Sequence, residues 1–157
     1  MGSSRTIIST LLTNLESYID DATVLFESYM EAPEELEARQ DIPRARIALY
    51  HEAEAEIIKV QAEKPADSRQ RYGIDISVLK AYRKDDGSRG ELPVLDLRDE
   101  VIQWVKGVDA FHVTQGHLHT LGYEGARALL RRKRYVTITM IFSGFRDLAG
   151  DTWTQTE

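Results

Sequence analysis

Three histidines stand close together in HVTQGHLHT, as His112, His117 and His119. His117 and His119 are two apart and would share one face of a strand, a spacing that can chelate a metal ion. A metal site needs a fuller ligand set, and the chain has no cysteine to supply one. The nearest carboxylate, Glu124, lies across a glycine, so ordinary surface histidines and no metal or other cofactor are expected. Asp85, Asp86 and Ser88 resemble part of a calcium loop, but the alternating ligands and the distal glutamate are missing. KDDGSRG therefore reads as a turn with two glycines. Asp96, Asp99 and Glu100 put carboxylates at i, i+3 and i+4 of a helix, where they could converge on one site. With Leu97, Val101 and Trp104 on the apolar stripe, they read as a solvated face instead. Ser143-Gly144 is no nucleophile elbow, and neither a Walker motif nor G-x-G-x-x-G occurs. The chain is not expected to be an enzyme.

Arg131, Arg132, Lys133 and Arg134 form the one basic cluster. Placed on a strand, two of the four would point each way. A nucleic-acid site would want accompanying aromatics and a wider basic surface. The acidic blocks Glu31 to Glu37 and Glu52 to Glu56 suggest a different partner, namely ion pairs between copies of the chain. Together with Asp85, Asp86 and Arg89 of the polar turn, these four basic residues are the candidate interface residues.

The elements that must position them can be taken in order. Ile7, Ile8, Leu11, Leu12, Leu15, Tyr18 and Ile19 recur at helical spacing, with Ser3 or Ser4 as the cap. Asp20 and Asp21 oppose the helix dipole at its C-terminal end, so the chain should leave the helix there. ATVLF, residues 22–26, is short and partly β-branched and is taken as a brief strand over a further helical turn. Met30 to Gln40 is a loop or one short helix with Pro33 in the first turn. Ile47 and Leu49 alternate with Ala48 and Tyr50, which predicts a strand. EAEAEIIKVQA fits either a helix or a second hairpin strand, and the strand is preferred. Lys64 to Gln70 is expected as a polar loop.

Arg71 to Arg83 is a clear strand. Tyr72, Ile74, Ile76 and Val78 share one face and Asp75 and Ser77 the other, with a bulge expected near Leu79. Pro93 should open a helix to about Lys106, closed by Gly107. Its apolar face takes Val94, Leu95, Leu97, Val101, Ile102, Trp104 and Val105. Phe111, Val113 and Leu118 hint at short strands. Arg131 to Phe145 then alternates strictly, with Val136, Ile138, Met140 and Phe142 on an apolar face. Tyr135, Thr137, Thr139 and Ile141 lie on a face tolerant of water or of another subunit. The order predicts an α+β fold: a mostly antiparallel sheet with an N-terminal helix and a central helix packed on one face. One domain should span 1–147, followed by a loose polar tail over 148–157.

Composition bounds the rest. The 157 residues suffice for one real core, with 42% hydrophobic and 29% charged residues. A net charge of −6 and a pI near 5.3 argue against nucleic-acid binding as the main task. MGSSRTIISTLL lacks the long apolar region and cleavage site of a secretory signal. No stretch approaches the ~20 apolar residues of a membrane span. A soluble protein made in a cytosol is expected, with no membrane partner.

With these elements in order, the chain resembles the tail-terminator (tail-completion) proteins of long-tailed bacteriophages. The resemblance is carried by the helix around IISTLLTNLESYID, the strands in DIPRARIALYHEAE and RYGIDISVLKAYR, the helix LPVLDLRDEVIQWVKG and the strand ending RRKRYVTITMIFSGFRD. It covers Ser4 to Asp147 as a pattern of elements. It implies a virion protein of the tail and neck, assembled in the host cytoplasm, that forms a homo-oligomeric ring, usually a hexamer. Such a ring caps the tail-tube protein and meets the head-tail connector or stopper protein. Genome DNA passes through its lumen without specific binding, and an acidic lumen would repel that DNA. The resemblance brings no site residues with it. The alternatives are another neck or tail component, such as a head-completion, stopper or tube protein, or a small metal-binding enzyme that uses the histidines. A third is a regulator that holds a small ligand.

Overall fold

The computed structural model describes residues 3–61, 64–83 and 86–147, and for 53–61, 64–67 and 147 it describes the backbone alone. The elements run α1 (Ser4–Ile19), β1 (Val24–Glu27), α2 (Pro33–Ala38), β2 (Ala45–Gln61), β3 (Lys64–Leu79), α3 (Glu91–Gly107), α4 (Ala110–Val113), β4 (Leu118–Ala126), β5 (Leu130–Arg131) and β6 (Tyr135–Asp147). The strands form one six-stranded sheet in the order β1-β2-β3-β6-β4, with β5 also paired to β6. Among the described residues only the β1–β2 pair is parallel. The fold is α+β and mostly antiparallel, with the N-terminal and central helices on one face.

Period-two patterning decides which face that is. Ile47 and Leu49 of β2, Ile74, Ile76 and Val78 of β3, and Val136, Ile138, Met140 and Phe142 of β6 all point into one core. From the other side come Ile7, Leu11 and Leu15 of α1 and Val94, Leu97, Val101 and Trp104 of α3. Burying one such aliphatic side chain contributes about 1.5–3 kcal/mol. The indole N–H of Trp104 donates to Asn14 Oδ1 at 2.8 Å, which ties α3 to α1 and satisfies that buried donor. Ser3 caps α1 by accepting from the Thr6 N–H at 3.1 Å. Asp20 ends the helix in the left-handed region at φ 48°, as its unfavourable position against the dipole foretold.

Several expectations are corrected. Lys64 to Gln70 is strand, not loop: it belongs to β3, which forms one long hairpin with β2, and among the described residues β6 joins β3 from Asp67 to Leu79. Of EAEAEIIKVQA, residues 52–61 continue β2 rather than forming a separate strand, and Ala62 lies outside the described residues. β3 ends at Leu79 and keeps unbroken register with β6; the register shifts fall instead in the β2–β3 pair beyond His51 and in β4. Gly107 is the last residue of α3, with Val108 as the cap, and Pro93 is its third residue. Leu95 and Ile102 are only half-buried, and Tyr18 is exposed. Phe111 and Val113 belong to a short helical turn, α4. Arg131 to Arg134 is not one strand run: Arg131 ends the short strand β5, and Arg132 to Arg134 form the turn into β6. β6 continues two residues past the expected strand end at Phe145, through Asp147. The expected tail, 148–157, lies outside the described residues.

Candidate functional site

The face of the sheet away from α1 and α3 carries the polar chemistry. In ARIALY the same alternation that buries Ile47 and Leu49 turns Arg46, Ala48 and Tyr50 to this face. Arg46 is 1% exposed, enclosed by the segment between β1 and α2. Its Nε donates to Glu27, its Nη2 donates to the Tyr29 carbonyl at 2.7 Å, and its guanidinium lies 5.1 Å from the centre of the Tyr29 ring. Glu27 also takes a two-pronged bond from Arg39, at 2.6 and 2.9 Å. Arg39 reaches Glu31 at 2.9 Å and Asp41 at 2.7 Å as well. Burial alone would raise the Glu27 carboxyl, but the hydrogen bonds from Arg39 and Arg46 outweigh it and hold the group below its ordinary value. Asp41 is lowered by the same Arg39 contact, and Arg39 itself is pushed further up.

Beside this cluster lies a row of hydroxyls around Asp75. Its Oδ1 accepts from the Tyr50 hydroxyl at 2.8 Å and from the Thr139 hydroxyl at 2.7 Å. One step along the sheet, the Ser77 and Thr137 hydroxyls bond each other at 2.9 Å. Burial, then the nearby Asp75 charge, raises the Tyr50 phenol, so it stays a donor. The Tyr50 ring lies across Gly73, its register partner on β3. A cavity of about 160 Å3 opens between this row and the β1–α2 segment. These groups can bind and orient a ligand. No acid–base pair beside a nucleophile is assembled here, and among the described residues no three possible metal ligands gather.

The candidate interface residues fall into two groups. Arg131 pairs with Glu91 at the start of α3. Arg134 is tied inward: its N–H donates to the Glu37 carboxylate at 2.9 Å, and its guanidinium donates to the carbonyls of Glu37 at 2.9 Å and Arg39 at 2.5 Å. Part of the acidic block at Glu31 to Glu37 therefore meets the basic cluster within one chain. Arg132 and Lys133 are exposed on the turn, where Lys80 Nζ donates to the Arg132 carbonyl at 3.0 Å. Asp86 shapes its own turn by accepting from the Ser88 N–H at 2.9 Å and hydroxyl at 2.6 Å. Arg89 borders the same open cleft as Lys80 and Arg131, so the two turns do meet at one end of the sheet. Asp85 lies outside the described residues.

His112 bonds to Asp109, whose carboxyl is lowered first by the backbone N–H of His112 and then by its ring. His119 bonds to Thr120 and stacks 5.8 Å from Phe145. Asp99 pairs with its neighbour Arg98 at 2.9 Å on the exposed side of α3. Sequence reasoning did not single out Arg46, Glu27 or Arg39. It placed Asp75 on the right face without giving it a role. The available signals were a charged residue inside the alternation RIALY and a lone carboxylate between two isoleucines in IDI. Each marks a sheet position whose outward face is covered. No known protein-family profile matches the chain, and no curated protein matches it significantly.

Proposed function

We propose that the chain is a structural virion subunit, a tail terminator that closes into a ring on the end of a tail tube and joins it to the head connector. What supports this is the distribution of surfaces over the sheet. β1 covers β2 only from Ala45 to Ala48, so the outer edge of β2 beyond that point has no strand partner among the described residues. β4 forms the opposite edge. Long open edges template pairing with another chain unless they are blocked, and a closed ring of head-to-tail contacts uses two unlike edges of one subunit. The β2 edge carries the reading, because β2 is the longest strand among the described residues and β1 pairs with only its first four residues there. A binding mechanism follows: ring closure satisfies the edges, and surface complementarity to the last tube ring ends growth.

Negative-stain imaging of the purified protein, alone and mixed with tail tubes, tests the proposal. Single rings, or a cap confined to one end of each tube, are the expected outcome. Long stacked tubes from the protein alone would assign it to the tube instead. Small monomers that ignore tube ends would overturn a virion role.

A further inference from the structure

The cavity on the outer face of the sheet, about 160 Å3, is much smaller than the ~300–1,000 Å3 of sites for drug-sized ligands. It suits one aliphatic stem with a polar head. Its walls include Met30, Leu36 and Leu130. Met30 and Leu130 are 64% and 49% exposed and offer apolar surface to a stem entering the cavity.

Asp75 on the cavity floor decides the class of head group. It is half-buried and holds two hydroxyl donors, yet no Lys, Arg or His among the described residues forms an ion pair with it. The nearest guanidinium cluster has no charge to spare: Arg39 and Arg46 already serve Glu27, Glu31 and Asp41. A carboxylate in this setting attracts a cation more strongly than one in open water.

We propose that this cavity binds an alkylammonium or alkylguanidinium group, with the stem along Met30 and Leu130 and the cationic head on Asp75. The group comes either from a free small amine or from a Lys or Arg side chain of a neighbouring copy; the recognition chemistry is the same. Glu31, Arg46 and Arg132 also line the cavity: Arg46 is held by Glu27, whereas Arg132, a like charge at the exposed rim, works against the ligand. The site does not depend on the virion reading.

The full-length protein is titrated with n-butylguanidinium and n-butylammonium, with n-butanol as the neutral control, while the Met30 methyl resonance is followed by NMR. Both cations should give saturable shifts. Asp75→Asn keeps an oxygen acceptor for Tyr50 and Thr139 and should weaken cation binding by about tenfold or more. Arg132→Ala should tighten it about two- to fivefold at low salt. An affinity unchanged by Asp75→Asn in a folded variant, or n-butanol binding as tightly as the cations, overturns the proposal. Disassembly of the oligomer by n-butylguanidinium would assign the head to a neighbouring copy's side chain. Saturable binding with the assembly unmoved would assign it to a free amine. Either result supports the site.

Discussion

Glu27 is the residue whose loss should be felt most, because two arginines depend on it. Arg46 is 1% exposed and donates to Glu27, and Arg39 donates to it through both terminal nitrogens. Glu27→Gln removes the charge and leaves a buried guanidinium short of compensation, so it should cost about 3 kcal/mol in a denaturation experiment. The same residue sets a pH dependence. Its folded-state pKa lies below the ordinary value, so the unfolded chain takes up the proton first as pH falls. Its stabilisation is complete above the unfolded carboxylate range of ~4–5 and is lost as pH drops through the lower folded value. Asp21, lowered by the Thr23 hydroxyl and by Arg44, acts in the same direction. Urea midpoints measured from pH 7 down to 3 should therefore fall steeply in wild type and less so in Glu27→Gln. None of this was readable from residue types, because Glu27, Arg39 and Arg46 meet only when β1, β2 and the chain after α2 come together.

At the scale of the element, the β2–β3 pair carries an unusual contact. A Cβ built on Gly73 would lie 2.5 Å from ring carbons of Tyr50. Tyr50 therefore covers its glycine partner across the hairpin, an arrangement that pins register on a strand that would otherwise be weak there. Gly73→Ala should displace the ring, break the Tyr50–Asp75 bond and destabilise by about 1–3 kcal/mol. Thermal denaturation, with the tyrosine environment followed by near-ultraviolet circular dichroism, would show both effects. The strands themselves were legible where apolar alternation is strict, as in YVTITMIF and YGIDISV. α1 was legible from its Ser3 cap and apolar spacing and α3 from its spacing, whereas the short turn α4 was not. KPADSRQ was not, because its strand state comes from backbone bonds to β2 and β6, and polar side chains say nothing about those. The run of basic residues misled for a related reason: Arg131 to Arg134 looks like the start of alternation, but the Glu37 and Arg39 carbonyls hold Arg134 in a turn.

Over the whole molecule, the hairpin separates folding from assembly. Before Asp67, among the described residues, β3 pairs only with β2, so the sheet there is two strands wide and less buttressed. Replacing residues 58–67 by Asn-Gly would close a tight turn between Ile57 and Ser68, which are register partners. The shortened protein should melt within a few degrees of wild type (a ΔΔG of about 1 kcal/mol shifts Tm by ~2–8 °C). On the virion reading it should also lose ring formation, measured by light scattering. Melting at a much lower temperature would show that the hairpin belongs to the core after all. The fold class was readable at this scale because element order and core faces are local properties. The covered outer face was not, since it depends on which loops fold back over the sheet.

β6 occupies the middle of the sheet between β3 and β4, yet it is the last of the strands to be made. At ~5–20 residues per second, a ribosome takes several seconds to travel from the end of β3 to the end of β6. Throughout that interval Ile74, Ile76 and Val78 lack their central neighbour, and the nascent chain presents a bare hydrophobic slot. Production of this protein should therefore be unusually sensitive to chaperone supply and to the speed of translation through residues 80–147.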